Sequence, residues 1–184
     1  MTEIEKPKKK GSFLPIILIT LASLVIAAYW NSIPVIKNAV HSALDPSAGA
    51  LLNWNLTIGM MIIVFVISLI TTLIQKYTTD QKALRELKAE QKLLQEEMKK
   101  IEKDPIKMAE LNKKNMELIP RTFRLTSRAV MFTGIPFILF YRWFTDVFTA
   151  MKNPVFLGFL SWFWFYFILT IVFSSLLRKW MNVV

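Results

Sequence analysis

The chain has 184 residues, of which 54% are hydrophobic, and 23 Lys and Arg against 13 Asp and Glu give it a formal net charge of +10. The apolar fraction exceeds the roughly 45–50% of ordinary soluble domains and excludes a disordered chain. The absence of Cys excludes a disulfide framework and thiolate chemistry, and the single His argues against a His/Cys metal site. We expect no cofactor, and we expect apolar and charged residues to occupy separate regions.

Four apolar stretches account for the hydrophobic excess. A helix that crosses a bilayer needs about 20 mostly apolar residues, because the hydrocarbon is about 30 Å thick and each residue adds about 1.5 Å. The four stretches, residues 13–30, 54–75, 126–150 and 155–177, predict an all-α polytopic membrane protein. The first follows a basic tail, residues 1–12, and is either a retained transmembrane helix, which we favour for want of a clear cleavage site, or a signal peptide.

The distribution of Lys and Arg predicts the orientation, since short cytoplasmic loops are enriched in basic residues. Basic residues concentrate in the N-terminal tail, in the polar segment after the second stretch, and at the C-terminus, residues 178–184. The other connections, residues 31–53 and 151–154, hold one Lys each. We expect a multi-pass protein of the plasma membrane with both termini and the long polar segment in the cytoplasm.

Residues 76–125 are the long polar region, with helical composition and no Gly. Apolar residues recur every three or four positions on both sides of Asp104-Pro105, a dipeptide typical of an N-cap and first helical residue. The pattern predicts a cytoplasmic antiparallel coiled-coil hairpin, with Gln91 and Asn115 as polar seam positions that fix its register. The apolar seam residues are Leu84, Leu87, Leu94, Met98 and Ile101 in the first arm, and Met108, Leu111 and Leu118 in the second.

The predicted tip of this hairpin carries Lys99, Lys100, Lys103 and Lys107. Two interpretations remain open: a spacer or dimerisation coil, or a contact arm whose basic tip binds rRNA or anionic lipid headgroups. Interleaved glutamates make the tip a weak signal for nucleic acid by itself.

Residues 31–53 contain a predicted amphipathic helix that starts at Pro34 and stops at Asp45-Pro46. We expect its apolar face to rest on the outer membrane surface, with Lys37 and His41 on the solvated face. His41 is therefore predicted to be a solvated residue and not a metal or cofactor ligand.

Polar side chains gather toward the cytoplasmic ends of three spans. One interpretation is that each hydroxyl bonds back to its own helix or joins neighbouring helices. The other is that together they line a wet groove that faces the cytoplasm. The candidate groove residues are Ser68, Thr71, Thr72, Gln75, Ser127, Thr133, Ser174 and Ser175.

Arg142 is a charge well inside a predicted span, where insertion scales assign a cost of roughly 2.5–3.5 kcal/mol. Asp146 follows four residues later and is within reach as an i,i+4 partner. We expect Arg142 to extend toward the outer interface beside Asp146. The alternative is that Arg142 belongs to the groove and attracts acidic segments of a bound chain.

The order of the segments carries a resemblance. A membrane helix over 54–75 leads directly into the hairpin, and two closely linked membrane helices follow, with MFTGIPF at 131–137 and SWFWFYF at 161–167. Over residues 52–184 this arrangement resembles the YidC-like membrane protein insertase superfamily, most closely its archaeal branch, which is similar to the third subunit of the eukaryotic ER membrane complex.

The resemblance implies a three-helix YidC-like core around a hydrophilic groove, with residues 13–30 as an extra N-terminal transmembrane helix. It implies a chaperone for the co-translational insertion of nascent membrane proteins. A ribosome contact through the hairpin and a second membrane subunit that completes the groove are left open by the sequence. Bacterial relatives place a basic residue in the groove, and this chain has Gln75 at the comparable depth. Uncharged polar groups would then have to serve in its place.

Other classes of function compete with this one. A membrane-anchored coiled-coil scaffold, or a subunit of an oligomeric membrane complex, would use the hairpin seam for self-association. An enzyme is not expected, because the sequence has no G-x-S-x-G, no H-E-x-x-H and no paired intramembrane Asp. A transporter is disfavoured by the absence of inverted repeats.

Overall fold

The computed structural model describes residues 14–101 and 104–183. This part of the chain is almost entirely helical, so the expected all-α fold is confirmed. Its α-helices are α1 (Leu14–Ala28), α2 (Pro34–Leu44), α3 (Ala50–Trp54), α4 (Leu56–Thr78), α5 (Gln81–Lys100), α6 (Pro105–Ala150) and α7 (Trp162–Met181). Its short elements are a 3-10 turn (Trp30–Ser32), a π-helical turn (Asp45–Gly49) and the strands β1 (Val155–Phe156) and β2 (Leu160–Ser161). The predicted tail, residues 1–12, lies outside the described residues.

Two helices, α4 with 23 residues and α7 with 20, are long and apolar enough to cross a membrane. The two parts of α6, Pro105–Ser127 and Ala129–Ala150, are inclined at 64° and supply a third candidate if they count as one broken span. The 15 residues of α1 are apolar, but they rise only about 22 Å. These helices support membrane association, while four complete spans stay a prediction.

Exposed aromatic side chains lie near the ends of α4: Trp54 ends α3 just before α4 starts, Tyr77 is in its last turn, and Trp180 is near the end of α7. Tyr77 and Trp180 are 79% and 78% exposed at one end of the bundle, and Trp54 is 70% exposed at the other. Amphipathic rings are enriched at the headgroup level of a bilayer. Because α4 rises about 34 Å, the two levels are about one bilayer apart. We call the end with Tyr77 and Trp180 the hairpin end and the opposite end the distal end.

The apolar core lies toward the distal end, where aromatic side chains of α6 and α7 stack. The ring of Phe148 stacks on those of Phe144 and Trp162, with centroids 5.7 and 5.4 Å apart. Trp143, Phe144 and Phe148 are at most 1% exposed, and burial of each such side chain contributes about 1.5–3 kcal/mol. The α4 helix packs along α7 beside this cluster. The distal end is therefore the densely packed part of the bundle.

The helix of the fourth apolar stretch starts at Trp162, later than the predicted position 155, and continues to Met181. The residues before it form a β-hairpin in which Val155 pairs with Ser161. Leu157 and Gly158 turn the chain with φ values of 52° and 84°, and glycine adopts such values without steric cost. The turn brings Phe156 onto Phe165, with ring centroids 4.6 Å apart, and so covers the distal core.

The α5 helix packs against the first part of α6, as the seam pattern predicts. Leu84, Leu111 and Leu118 are 3%, 7% and 3% exposed, and the remaining seam residues are half-buried. The second helix starts at the expected place, because Oδ1 of Asp104 accepts the backbone N–H groups of Ile106 and Lys107. It does not stop at residue 125: α6 continues into the third apolar stretch.

Asn115 occupies a polar position of this seam, and its Oδ1 is buried without a hydrogen-bond partner. A buried unpaired polar atom costs about 1–3 kcal/mol, so Asn115→Leu should stabilise the hairpin by about 1 kcal/mol. Thermal unfolding followed by circular dichroism measures the change. Asn112→Leu, an exposed site on the same helix, is the control and should leave the midpoint unchanged. A lower midpoint for Asn115→Leu would contradict the prediction.

Candidate functional site

A cleft between α4 and α6 runs from the middle of the bundle to the hairpin end. Its inner part is a cavity of about 350 Å³ whose lining includes three isoleucines of α4 and three phenylalanines of α6. Thr71 of α4 and Thr133 of α6 bring hydroxyl groups to this lining, and Tyr166 of α7 lies beside them. The inner part is therefore a hydrocarbon-like space with few hydrogen-bonding groups.

Toward the hairpin end the cleft widens into a more polar mouth, a second cavity of about 210 Å³. Val130 and Thr133 line both cavities, so the mouth adjoins the inner part. Four helices contribute polar side chains to the mouth. One such side chain from each helix is Gln75 of α4, Lys88 of α5, Thr126 of α6 and Arg178 of α7. Polarity and positive charge thus increase along the cleft from the interior to the hairpin end.

The cleft brings together some of the predicted groove residues and leaves out others. Thr71, Gln75 and Thr133 line it. Ser68 and Thr72 are only 1% exposed and are packed inside the bundle. The others, Ser127, Arg142, Ser174 and Ser175, line neither of its two cavities.

Several of these hydroxyl groups bond within their own helix, as one of the two interpretations predicts. Thr72 Oγ1 donates to the Ser68 carbonyl at 2.7 Å, and Thr133 Oγ1 donates to the Ala129 carbonyl at 2.9 Å. Ser127 Oγ donates to the Arg124 carbonyl at 2.8 Å. A hydroxyl that donates in this way still accepts hydrogen bonds through its lone pairs. Thr133 therefore presents an acceptor to the cleft.

Lys88 and Arg178 are the charged lining residues of the cleft in the described part of the chain, and the sequence patterns did not predict them. Lys88 lies in an arm of the predicted hairpin, and Arg178 lies beyond the predicted end of the last span. Neither side chain forms an ion pair with any residue in 14–101 or 104–183. The sequence offers only a weak indication of their position. Lys88 follows the seam residue Leu84 by one helical turn, and Arg178 directly follows Leu177, which is buried. Only the packing of the helix ends brings the two cations beside Gln75.

A polar network at the distal end is centred on Asp146. Its Oδ2 accepts a hydrogen bond from Trp30 Nε1 at 2.7 Å, lies 3.0 Å from Lys37 Nζ and lies 3.2 Å from His41 Nε2. His41 Nδ1 is 3.1 Å from both carboxylate oxygens of Asp45. We call these five residues the distal network. They join the segment 30–45 to the end of α6.

Two predictions about this region are corrected by the network. Arg142 does not pair with Asp146, because Oδ2 of Asp146 is already contacted by Trp30 and by two residues of α2. The guanidinium of Arg142 lies 5.8 Å from the centroid of the Trp30 ring. Its Nε is buried without a hydrogen-bond partner. His41 is not fully solvated: the face of α2 that carries Lys37 and His41 turns toward Asp146 of α6, and the His41 side chain is 26% exposed. Arg142 lies at this end of the bundle and not in the cleft.

The lysines proposed for partner contact lie at the hairpin tip or outside the described residues. Lys99 and Lys100 are exposed in the last turn of α5. Lys107 is exposed in the first turn of α6, with Nζ 3.8 Å from Asp104 Oδ2. Lys103 is among the residues that the structure does not describe. A contact of this tip with a partner stays a prediction.

No metal centre is evident in residues 14–101 and 104–183, where no three His, Asp or Glu side chains converge in a way that would hold an ion. No family model, curated protein or solved structure matches this chain. Among the features above, the α4–α6 cleft combines a defined space with a polarity gradient, and it is our candidate functional site.

Proposed function

We propose that this chain is a YidC-like membrane protein insertase in which the α4–α6 cleft receives client transmembrane segments during co-translational insertion. The observation that carries the proposal is the gradient along the cleft, from an apolar interior through Thr71 and Thr133 to a charged mouth. A client must move polar flanking residues through hydrocarbon, where each unpaired polar group costs several kcal/mol. A cleft that is polar at its mouth shortens that path.

The proposed architecture follows from the same helices. In it, α4, the second part of α6 and α7 form the core, α1 is an extra transmembrane helix, and α5 with the first part of α6 is the cytoplasmic coiled-coil hairpin. The excess of Lys and Arg at the hairpin end supports a cytoplasmic position for this end, for both termini and for the mouth of the cleft, in the plasma membrane. Lys88 and Arg178 supply positive charge beside Gln75, where the resemblance implies a basic residue.

The proposed mechanism involves no covalent chemistry and no cofactor. The hydrophobicity of the client segment drives its transfer into lipid. The cleft lowers the barrier for the polar flanks, since hydroxyl, amide and cationic groups there replace part of their lost hydration. The ribosome would contact the basic hairpin tip, and a second membrane subunit would complete the open side of the cleft.

The test is site-specific photocrosslinking to a stalled nascent membrane protein. A crosslinker at Thr71 should label the client, whereas one at Ile171, which is 52% exposed on α7, should label it far less.

Thr71→Leu combined with Thr133→Leu should slow client insertion into vesicles about fivefold to tenfold, because it removes two polar contacts of about 0.6 kcal/mol each.

The matched control is Ser174→Leu combined with Ser175→Leu, which changes two small polar residues outside both cavities. This control should retain the insertion rate. Equal insertion by the Thr71/Thr133 variant and the control, or equal labelling from Thr71 and Ile171, would argue against the cleft as the client path.

The alternative, a membrane-anchored coiled-coil scaffold or a subunit of an oligomeric complex, requires a surface for another chain. The hairpin seam is engaged within the chain, since α5 and α6 bury it against each other. The outer faces of the two arms keep Leu93 and Met116 exposed, at 62% and 67%, and would have to serve this purpose. Insertion-competent protein that stays monomeric in detergent would eliminate this alternative.

A further inference from the structure

We infer that the α4–α6 cleft binds one anionic phospholipid from the leaflet at the hairpin end. In this assignment an acyl chain occupies the inner cavity, and the phosphate of the headgroup lies between Lys88 and Arg178. The inference goes beyond the proposed function, because it rests on the shape and charge of the cleft and holds whether or not a client later displaces the lipid.

The inner cavity suits hydrocarbon better than water. A buried water typically makes two to four hydrogen bonds, and apolar cavities that cannot provide them stay dry. The cavity of about 350 Å³ is lined mostly by aliphatic and aromatic side chains, and the Thr133 hydroxyl proton is already donated to the Ala129 carbonyl. An empty space of this size would forfeit dispersion contacts along its whole lining. An acyl chain from the surrounding bilayer restores those contacts.

The depth of the cavity matches one leaflet. Its lining on α4 extends from Ile67 to Ile74, a rise of about 11 Å, whereas half of the hydrocarbon is about 15 Å thick. The mouth begins at Gln75, near the level of the exposed rings of Tyr77 and Trp180. Since such rings favour the headgroup region, the change from apolar to polar lining falls where acyl chains give way to headgroups.

The charge of the mouth selects an anion. Among the described residues, Lys88 and Arg178 line it, no Asp or Glu does, and neither cation forms an ion pair. A guanidinium donates two parallel hydrogen bonds to phosphate oxygens, and an ammonium adds a point charge. Basic pockets between transmembrane helices are a recognised mode of binding anionic headgroups. A zwitterionic headgroup has no net charge to neutralise this pair.

The test uses the full-length protein in phosphatidylcholine vesicles. The vesicles contain a small fraction of either phosphatidylglycerol or phosphatidylcholine that carries a photoreactive diazirine on its acyl chain, and crosslinked peptides are mapped by mass spectrometry. The anionic probe should label residues 67–74 and 130–140 about tenfold more than the zwitterionic probe, given the attraction of two cations for an anionic lipid. Labelling of the outward face of α7 should be similar for both probes and serves as the internal reference.

A pair of charge-matched variants separates the site from general surface charge. Lys88→Gln with Arg178→Gln should bring the labelling ratio of the two probes in the cleft close to one. Lys82→Gln with Lys179→Gln removes the same charge from exposed positions of the same two helices and should preserve the ratio. Circular dichroism checks that both variants keep their helices.

Three outcomes would overturn the inference. The first is equal labelling of the cleft by both probes in the unmodified protein. The second is an equal loss of preference in the two variants, which would assign the effect to overall surface charge. The third is labelling confined to the outward faces of α4 and α7.

Discussion

Gly59→Ala should lower the free energy of unfolding by about 3 kcal/mol or more, the upper range for overpacking a closely packed site. A Cβ added at this position would overlap the carbonyl oxygen of Leu51, lie 2.6 Å from its carbonyl carbon and lie 2.9 Å from the backbone nitrogen of Leu52. All three are backbone atoms of α3, so no side-chain rotation relieves the overlap. The α3 helix would have to move away from α4.

The close approach at Gly59 matters because it positions the segment that covers the distal end. The chain leaves α3 in an extended conformation at Asn55, whose Oδ1 accepts the N–H of Ile58 and caps α4. This connection folds α3 back onto the start of α4. The preceding turn then places Asp45 where it accepts a hydrogen bond from Trp143 Nε1 at 2.7 Å. Displacing α3 would therefore loosen the distal core as well.

Gly134→Ala is the matched control for this change. Its added Cβ would meet only the Ile19 side chain, at an ordinary 3.8 Å. Alanine is the better helix former by about 1 kcal/mol, so this variant should be as stable as the unmodified protein or slightly more stable. Unfolding of both variants in detergent, followed by circular dichroism, compares them. Equal stability of the two would contradict the contact between α3 and α4.

Asp146→Ala should lower the free energy of unfolding by about 2–3 kcal/mol. Hydrogen bonds to a charged group contribute about 1.5–3 kcal/mol each. The partial exposure of Asp146 reduces the sum for its three partners. Its Oδ2 is shared by Trp30 Nε1, Lys37 Nζ and His41 Nε2. Removing the carboxylate leaves Trp30, which is 1% exposed, with an unpaired indole N–H. It also removes the carboxylate that pairs with Lys37 at 3.0 Å.

The isosteric change Asp146→Asn separates charge from shape in this network. It retains an oxygen that can accept from Trp30 but loses the attraction for Lys37, so we expect a smaller loss of about 1–2 kcal/mol. Glu117→Gln removes one charge from an exposed position of the same helix and should have little effect. The same unfolding measurement applies. If Asp146→Ala and Glu117→Gln gave equal stability, the network would contribute nothing to holding α2 against α6.

Several elements of this fold are readable from local pattern alone. The helix α4 follows from an uninterrupted apolar run, and the start of α6 follows from Asp104-Pro105, because capping depends on residues only a few positions apart. The burial of Leu84, Leu111 and Leu118 follows from the heptad spacing of the hairpin. Such features are local, so a single sequence is sufficient to predict them.

The candidate site was predicted only in part, because local sequence pattern does not determine how a helix is rotated against its neighbours. The small polar residues of α4 were recognised as a group, but one local pattern does not tell which of them faces a cleft and which faces a packed neighbour. Thr71 and Thr72 are adjacent in sequence and point to different environments, one into the cleft and the other into the bundle. The rotation of α4 about its axis decides this, and that rotation depends on packing against α6 and α7.

The sequence by itself determined the helical class, the apolar helices and the concentration of positive charge at one end, because these follow from composition and short-range periodicity. The tertiary structure decided which charges act together. Packing of the helices places Lys88 and Arg178, which are 90 residues apart by their numbers, in the lining of the mouth together with Gln75. It also makes Trp30, Lys37 and His41 the partners of Asp146, in place of the expected Arg142. Electrostatic and hydrogen-bonding partners depend on distances of a few ångströms between side chains, and only the packing of whole helices sets those distances.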